Sequence, residues 1–379
     1  MAREHKEIGL AIIGCGTIGR LRALVAMNYP AVKWIGICDK DTDKLNKLKT
    51  ECKADFATTD YKELINRPEV NAVAIVTDEN FHVEPTLEAC DRGIKYLFIE
   101  KPLATDVKDS LRILNAIESA NIDTAIGYTN RFRRRFLAVK ERLTTGQIGN
   151  VHTVVTRAFM NRMVPIATIA KTTNVKNLTP MVVSGTHSFD MSLWLMEGKN
   201  PVSLYAQSND KVLKKIGTKD STFGIFTMND GTIFSMNICW ALPTIWPGAV
   251  YGIEIGIVGD KGVIDIEDTH RDLVLASEIP QPAGYRTNDY EPEMPRHVDF
   301  LTSYPPGDIQ GGEIWGPVRE ETVSWFAHIA TGLKTPHATA YNGHRNLVLT
   351  MGMDLSARTN SAIAFPADIR DMDLDIFYK

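Results

Sequence analysis

The run Ile8-Gly9-Leu10-Ala11-Ile12-Ile13-Gly14-Cys15-Gly16-Thr17-Ile18-Gly19 decides how the rest of the chain is read. Its first six residues form an apolar, strand-like stretch, and the glycines that follow are spaced G-x-G-x-x-G and lead into a helical pattern. That spacing has a mechanical meaning. Gly14 allows the tight turn, Gly16 lets backbone approach a pyrophosphate with no Cβ in the way, and Gly19 lets the helix sit close to the sheet. The N–H groups of Thr17 and Ile18, at the positive end of that helix, complete a phosphate cradle. A second strand, Lys33 to Cys38, ends at Asp39, twenty positions after Gly19. A carboxylate there accepts ribose hydroxyls and repels a 2′-phosphate, which favours NAD over NADP. Lys40 beside it tempers that preference, and capping of a helix Thr42 to Lys49 is the competing role for Asp39.

At 379 residues and 44% hydrophobic content the chain is long enough for two domains with separate cores. A formal charge of −4 gives no reason to expect a nucleic acid or an anionic membrane as partner. The charged Met1 to Glu7 run straight into the first strand, and later apolar runs fall short of the roughly eighteen residues a membrane span needs. A soluble, cytoplasmic protein is expected. The five cysteines, at 15, 38, 52, 90 and 239, form neither a C-x-x-C nor a Cys/His cluster. They are expected to be free thiols, with no structural metal.

From Ile8 to about Gly127, strands near Ile8–Ile13, Lys33–Cys38, Ala72–Val76, Tyr96–Ile99 and Thr124–Ile126 alternate with amphipathic helical segments. This is the grammar of a doubly wound parallel sheet, an α/β fold in which ligands bind at the carboxyl ends of the strands. Two of those ends stand out: Thr77-Asp78-Glu79-Asn80-Phe81-His82 after the third strand, and Glu100-Lys101-Pro102 after the fourth. Proline confines the residue before it to extended conformations, so Lys101 is aimed at the ligand crevice.

Past Gly127 the pattern changes. A helix from about Arg131 to Leu143, capped by Thr129 or Asn130, carries arginines 131, 133, 134 and 135, read as solvated or ion-paired. Strand-like segments follow at Val151–Phe159, Val202–Gln207, Thr222–Met228, Thr232–Trp240, Tyr251–Val258, Gly262–Ile266 and Leu273–Ala276, with turns at Asn229-Asp230-Gly231 and Gly259-Asp260-Lys261-Gly262. They predict an open, largely antiparallel sheet, interrupted by a helix near Thr186 to Met196. A Pro/Gly-rich stretch, Ile279 to Pro317, is expected to be mostly loop, and helices near Val318–Thr331 and Gly343–Ala362 close the chain. The expected division is 1–127 for nucleotide binding and 128–379 for substrate and oligomer contacts, with the last helix returning to the first domain.

Taken together, the glycine triplet, Thr77 with Asn80 and His82, Glu100-Lys101-Pro102, Gly127-Tyr128 with Arg131-Phe132, Gly185-Thr186-His187-Ser188-Phe189-Asp190, and Gly259 with Gly262 resemble the Gfo/Idh/MocA family of NAD(P)-dependent oxidoreductases. The resemblance spans nearly the whole chain. It implies an N-terminal Rossmann domain, a C-terminal α/β domain whose open sheet offers a face to oligomer partners, and an active site in the cleft between them. It also implies oxidation of a secondary hydroxyl of a sugar, sugar derivative or inositol to a ketone, or the reverse. Gly14, Gly16, Thr17, Ile18, Gly19, Asp39, Thr77, Asn80, His82, Glu100 and Lys101 would face NAD, and Lys101 with His187 would be the catalytic pair.

Residue chemistry agrees with that pairing. Removing hydride from an alcohol carbon requires the hydroxyl proton to leave, and histidine is suited to take it at neutral pH. Lys101 would hold the oxygen and stabilise developing alkoxide charge. The sequence departs from the family at Val183, where members commonly carry an aspartate four positions before the histidine. Asp190, at i+3 from His187, shares its helix face and is the candidate to orient it. Apolar Val183, together with Met160, Met163, Met181, Trp240, Trp246, Tyr285, Tyr290 and Trp315, leans the reading towards a glycoside or other bulky hydroxylated substrate, with Tyr128, Arg162 and Asn174 as candidate substrate contacts. Three alternatives stand: an aromatic dihydrodiol dehydrogenase, an NAD-binding sensor without turnover, and an enzyme that keeps NAD tightly bound and uses transient oxidation to drive elimination. A broad apolar sheet face predicts a homodimer or homotetramer.

Overall fold

The computed structural model describes residues 6–170, 175–248, 250–268, 273–281, 296–300, 307–311 and 313–379. Two compact units emerge: Met1–Arg133 with Pro306–Leu347, and Arg134–Pro305 with Val348–Lys379.

The first unit runs β1 (Ile8–Ile13), α1 (Thr17–Met27), β2 (Val32–Cys38), α2 (Thr42–Cys52), β3 (Phe56–Thr58), α3 (Tyr61–Ile65), β4 (Ala72–Ile75), α4 (Val83–Arg92), β5 (Tyr96–Glu100), α5 (Val107–Ser119) and β6 (Asp123–Gly127). The strands form one sheet in the order β3-β2-β1-β4-β5-β6, and every pairing is parallel. The order reverses between β1 and β4, and a doubly wound sheet opens a ligand crevice at such a point. β1 is buried along its whole length, as a central parallel strand must be. The helix Pro317–Thr331 adds Trp325 and Phe326 to this core, against Phe98 and Tyr29 with ring centroids 5.5 and 5.2 Å apart. The sequence reading missed β3, whose three residues are too few to show a period.

The second unit runs α6 (Arg134–Thr144), β7 (Val151–Asn161), α7 (Met163–Ala170), α8 (Thr186–Leu195), β8 (Pro201–Asn209), β9 (Ser221–Met228), β10 (Ile233–Leu242), β11 (Val250–Gly259) and β12 (Gly262–Asp268). Its sheet has the order β12-β11-β7-β10-β9-β8, with the short strand Ile363–Ala364 beside β8. β7 and β10 are parallel and the other pairs antiparallel. The inward face carries Phe226 and Phe234, edge-on to Phe189 of α8. The helix Ala340–Thr359 comes so close to the sheet that a Cβ on Gly224 would lie 2.7 Å from the Met353 methyl. On the opposite face, Val155, Ser235, Ile225 and Tyr205 stand in register across β7, β10, β9 and β8. Val155, Ile225 and Tyr205 are exposed there.

One expectation is corrected. The helix expected over 131–143 is broken: Thr129–Phe132 is a 3₁₀ turn, Arg133 is extended at ψ 130°, and α6 begins at Arg134. Arg131 is buried on the Pro336 carbonyl and Arg135 pairs with Asp268 at 3.1 Å. Within the stretch expected to be mostly loop after Ile279, the described residues include short strands: Val274–Gln281 pairs with Arg296–Phe300, and Asp308–Gln310 pairs with Glu313–Trp315.

Candidate active site

The glycine cradle has the geometry its spacing predicts. Gly14 has φ +110°, and a Cβ there would lie 2.6 Å from the Val76 carbonyl oxygen. At Gly19 it would sit 1.9 Å from the Gly14 carbonyl oxygen, so only hydrogen lets α1 start this close to β1. At Gly16 nothing lies within 4 Å of such an atom, and the open space is on the side a phosphate would approach. Gly16 is the N-cap of α1 and no side chain caps the helix, leaving its first N–H groups for an anion. Asp39 is not a helix cap. Asp41 caps α2, accepting from the Asp43 and Lys44 N–H groups at 3.1 Å. Asp39 instead ties β2 to the glycine loop: its Oδ2 accepts the Cys15 N–H at 2.7 Å and its Oδ1 the Asp41 N–H at 2.9 Å. Both oxygens keep a lone pair for ribose hydroxyls. Burial, with Asp39 adding its charge, pushes the Cys15 thiol well above the ordinary range, so this cysteine is an inert filler.

At the β4 exit, the Thr77 hydroxyl oxygen is buried with no hydrogen-bond partner among the described residues. A buried orphan beside a dinucleotide cradle fits a ligand group completing the bond. Asn80 accepts from the Thr105 hydroxyl at 2.9 Å. His82 is corrected. Its ring is wholly buried, with Nδ1 2.9 Å from the Pro102 carbonyl oxygen and Nε2 3.2 Å from that of Thr77. Each ring nitrogen faces a backbone carbonyl and the ring N–H donates to one of them, so the buried His82 ties two ligand-side loops together and leaves the set of cofactor contacts.

Lys101 follows β5 directly, half-buried at the carboxyl edge of the sheet, and its peptide to Pro102 is cis. Glu100 before it, expected to face the cofactor, is occupied by Arg22: Nη2 and Nε of Arg22 donate to its Oε1 at 2.5 and 3.2 Å. Tyr128 is buried at the start of the 3₁₀ turn after β6.

In the second unit, Thr179 caps an irregular wider turn of helix, Pro180–Gly185, accepting from the Val182 N–H at 3.2 Å and donating to Asp354 at 2.6 Å. That turn leads into α8, so His187 stands in the first turn of α8, half-buried. Asp190 lies three residues on, on the same helix face and wholly buried. Val183 is buried within the wide turn. Arg162 is corrected: its Nε and Nη2 donate to the carbonyls of Leu242 and Ala241, both at 3.1 Å, so it braces the end of β10. The expected aromatic wall is only partly described. Met160, Met163, Met181 and Trp240 are core, with the Trp240 N–H on the Ser184 hydroxyl at 2.9 Å. Asn174, Tyr285 and Tyr290 lie outside the described residues.

The residues of the first unit fit a dinucleotide: an open Gly16, an uncapped helix start, a ribose-side carboxylate and an unpartnered Thr77 hydroxyl. Among the described residues, no group of three His, Cys, Asp or Glu side chains could hold a metal, and no helix is long and apolar enough to cross a membrane.

Comparison with known proteins agrees. Residues 8–128 match the Gfo/Idh/MocA oxidoreductase family, NAD-binding Rossmann fold, and residues 136–265 match the C-terminal domain of the same family. The myo-inositol 2-dehydrogenase of Thermotoga maritima is 26% identical over 73% of this chain and 80% of its own length. The inositol 2-dehydrogenase of Gluconacetobacter diazotrophicus is 26% identical over 81% of this chain and 89% of its own. Scyllo-inositol dehydrogenase from Lactobacillus casei, solved with bound NAD(H) and scyllo-inositol, shares the fold with a TM-score of 0.74 at 19% identity, over 95% of this chain and 99% of that one. With both of its domains matched in order and an intact dinucleotide cradle, this chain belongs to the Gfo/Idh/MocA family of NAD-dependent oxidoreductases.

Proposed function

We propose that the chain oxidises a secondary ring hydroxyl of a cyclitol, or of a sugar ring like it, to a ketone, or runs the reverse reduction. The observation that carries the reading is Lys101 at the carboxyl edge of the same sheet whose central strand ends in the open Gly16 cradle. The names of the inositol dehydrogenases similar to this chain support the substrate class.

NAD, when bound, accepts the hydride. The chain's own groups handle the oxygen and its proton. The Lys101 ammonium donates to the substrate oxygen and stabilises the negative charge that grows as the proton leaves. His187 takes that proton in its neutral form and returns it in the reverse direction. Asp190, on the same face of α8 as His187, holds the His187 ring in the productive orientation. Asp39 would hold the adenosine ribose and the α1 N-terminus the phosphates. The side chain of apolar Val183 gives no hydrogen bond to a substrate hydroxyl.

The test is a panel of myo-inositol, scyllo-inositol, free hexoses and glycosides, followed by NADH absorbance with NAD and NADP offered separately. NADH production from cyclitols supports the reading. Failure of every cyclitol and sugar on the panel would overturn the substrate class, and product formation with no NADH released would favour a cofactor recycled within the cycle. The outward face of the second sheet, with Val155, Tyr205, Phe223, Ile225 and Ile233 exposed, is proposed to pack on a second copy of the chain. Sedimentation should show a dimer or tetramer, and a monodisperse monomer would contradict it.

A further inference from the structure

Arg22 lies on α1, three residues past Gly19, and is buried. Its guanidinium carbon stands 3.9 Å from the centroid of the Phe98 ring. Every nitrogen of the fork is used. Nε and Nη2 reach Glu100 Oε1 at 3.2 and 2.5 Å, Nη2 also reaches Glu321 Oε2 at 2.6 Å, and Nη1 reaches the Thr322 hydroxyl at 2.7 Å. Thr322 in turn donates to the Val318 carbonyl at 2.6 Å. The other oxygen of Glu100 lies over Gly127, where an added Cβ would come within 2.6 Å of Oε2. Glu100 is thus held by Arg22 beside Gly127, and the next residue along the chain is Lys101.

Stability alone is a weak reason for such a cluster. Taking one cation and two carboxylates out of water is costly, and a well-packed apolar trio of the same volume is often as stable or more so. What the charged trio supplies is geometry, because the planar guanidinium accepts its partners in one arrangement only. It joins the helix that meets the cofactor phosphates, the strand end that carries Lys101, and the helix Pro317–Thr331.

We propose that Arg22 is a positioning residue for the reaction: by locking Glu100 against α1 and Glu321, it sets where the Lys101 side chain begins relative to the bound dinucleotide. The inference rests on the reading of Lys101 given above. Removal of the cation also has an electrostatic signature. Glu100 and Glu321 share one Nη2, so their oxygens are within about 5 Å, and two carboxylates that close in a buried site do not both stay ionised. One of them should then titrate towards neutral pH. The other charged groups around the cluster are Lys101 after β5, Arg131 in the 3₁₀ turn, His337, whose Nε2 lies 3.1 Å from the Glu321 carbonyl oxygen, and His328 on the Glu321 helix.

The experiment compares full-length Arg22→Met, Arg22→Lys, Glu321→Gln, Arg22→Met/Glu321→Gln and Lys101→Ala. It reads kcat and KM against pH with myo-inositol as substrate, NAD affinity, and the melting temperature of the NAD-free protein against pH. Arg22→Met should lose on the order of 100-fold in kcat, the scale of an ångström misplacement, with KM and NAD affinity within about threefold. It should gain an ionisation near neutrality in both the rate and the melting profile. The double variant should lose that ionisation without recovering kcat, and Arg22→Lys should recover part of the rate. If Arg22→Met does not fold, Glu321→Gln, which removes the charge from one anchor and weakens its hold on the guanidinium, should still lower kcat several-fold at unchanged KM. An inactive Lys101→Ala beside Arg22 and Glu321 variants of normal kcat overturns this inference, as does a rate loss that merely parallels weakened NAD binding. An active Lys101→Ala overturns the reading of Lys101 itself, whatever Arg22 does.

Discussion

A methyl group at Gly16 should separate cofactor binding from folding. The protein leaves that position empty to 4 Å, and Gly16 has φ −70°, which alanine adopts freely. Glycine is a somewhat better N-cap than alanine, so Gly16→Ala should cost the NAD-free protein at most about 1 kcal/mol. The same methyl occupies the space the pyrophosphate must enter, and a tenfold loss of NAD affinity corresponds to about 1.4 kcal/mol. Ligand stabilisation follows RT ln(1 + [L]/Kd), so at saturating NAD that 1.4 kcal/mol is lost from the NAD-induced stabilisation, about 3–5 °C for a unit of this size. Gly19→Ala is the control with the opposite signature. Its methyl would lie 1.9 Å from a backbone oxygen, so α1 must move off β1 and the NAD-free protein itself loses about 1–3 kcal/mol or more. The assay is thermal unfolding with and without NAD, with calorimetric titration for the affinity. A Gly16→Ala protein that keeps the full NAD-induced shift, or melts as early without NAD as Gly19→Ala, would refute the assignment of that space to the cofactor.

Asp39→Ser removes the charge that repels a 2′-phosphate, and the ratio of NADP to NAD use in kcat/KM should rise by about tenfold or more; an unchanged ratio would show that Asp39 only braces the Cys15 loop. Burial, with the charges of Arg22, His328 and Arg131, pushes His337 down to about 3 despite its bond to the Glu321 carbonyl. The fold therefore holds this ring neutral while the unfolded chain protonates it below about 6.5, so stability falls as pH drops through that window, by up to about 1.4 kcal/mol per unit, less for the ring's partial exposure. His337→Gln should flatten that slope in pH-dependent urea unfolding. Burial raises Asp354 to about 7 against the pull of Thr179, Lys219 and Arg358. Here the fold binds the extra proton, so stability is complete at low pH and declines as pH rises from about 4 to about 7. Asp354→Asn should remove that decline, and an unchanged profile would contradict the raised value.

What could be read without coordinates was local. The glycine spacing, the strand-end positions of Lys101 and Thr77, and the hairpin turns at 229–231 and 259–262 depend on residues a few positions apart, and all appear where the sequence predicts them. The miscast residues owe their places to distant partners. His82 is held by the Pro102 carbonyl and Arg162 by the carbonyls of Ala241 and Leu242, about eighty positions away, so each looked available for a ligand. In Asp39-Lys40-Asp41, either aspartate can cap α2, and only the Asp43 and Lys44 N–H bonds show that Asp41 does so. Arg133 breaks the expected helix with no glycine or proline to announce it. Arg22 is the residue the motif hid. A cation on the buried side of α1 was its one signal, and its partners lie 78 and 299 positions away.

The central claim is that Lys101 and His187 serve one hydroxyl oxygen beside NAD. Its most direct test is a double-variant cycle on kcat/KM for the best cyclitol, using Lys101→Ala, His187→Ala and their combination. Groups that act as a unit are strongly non-additive, so the double variant should lose little beyond the worse single one. Losses that multiply, or a single variant that keeps its rate, would contradict the account.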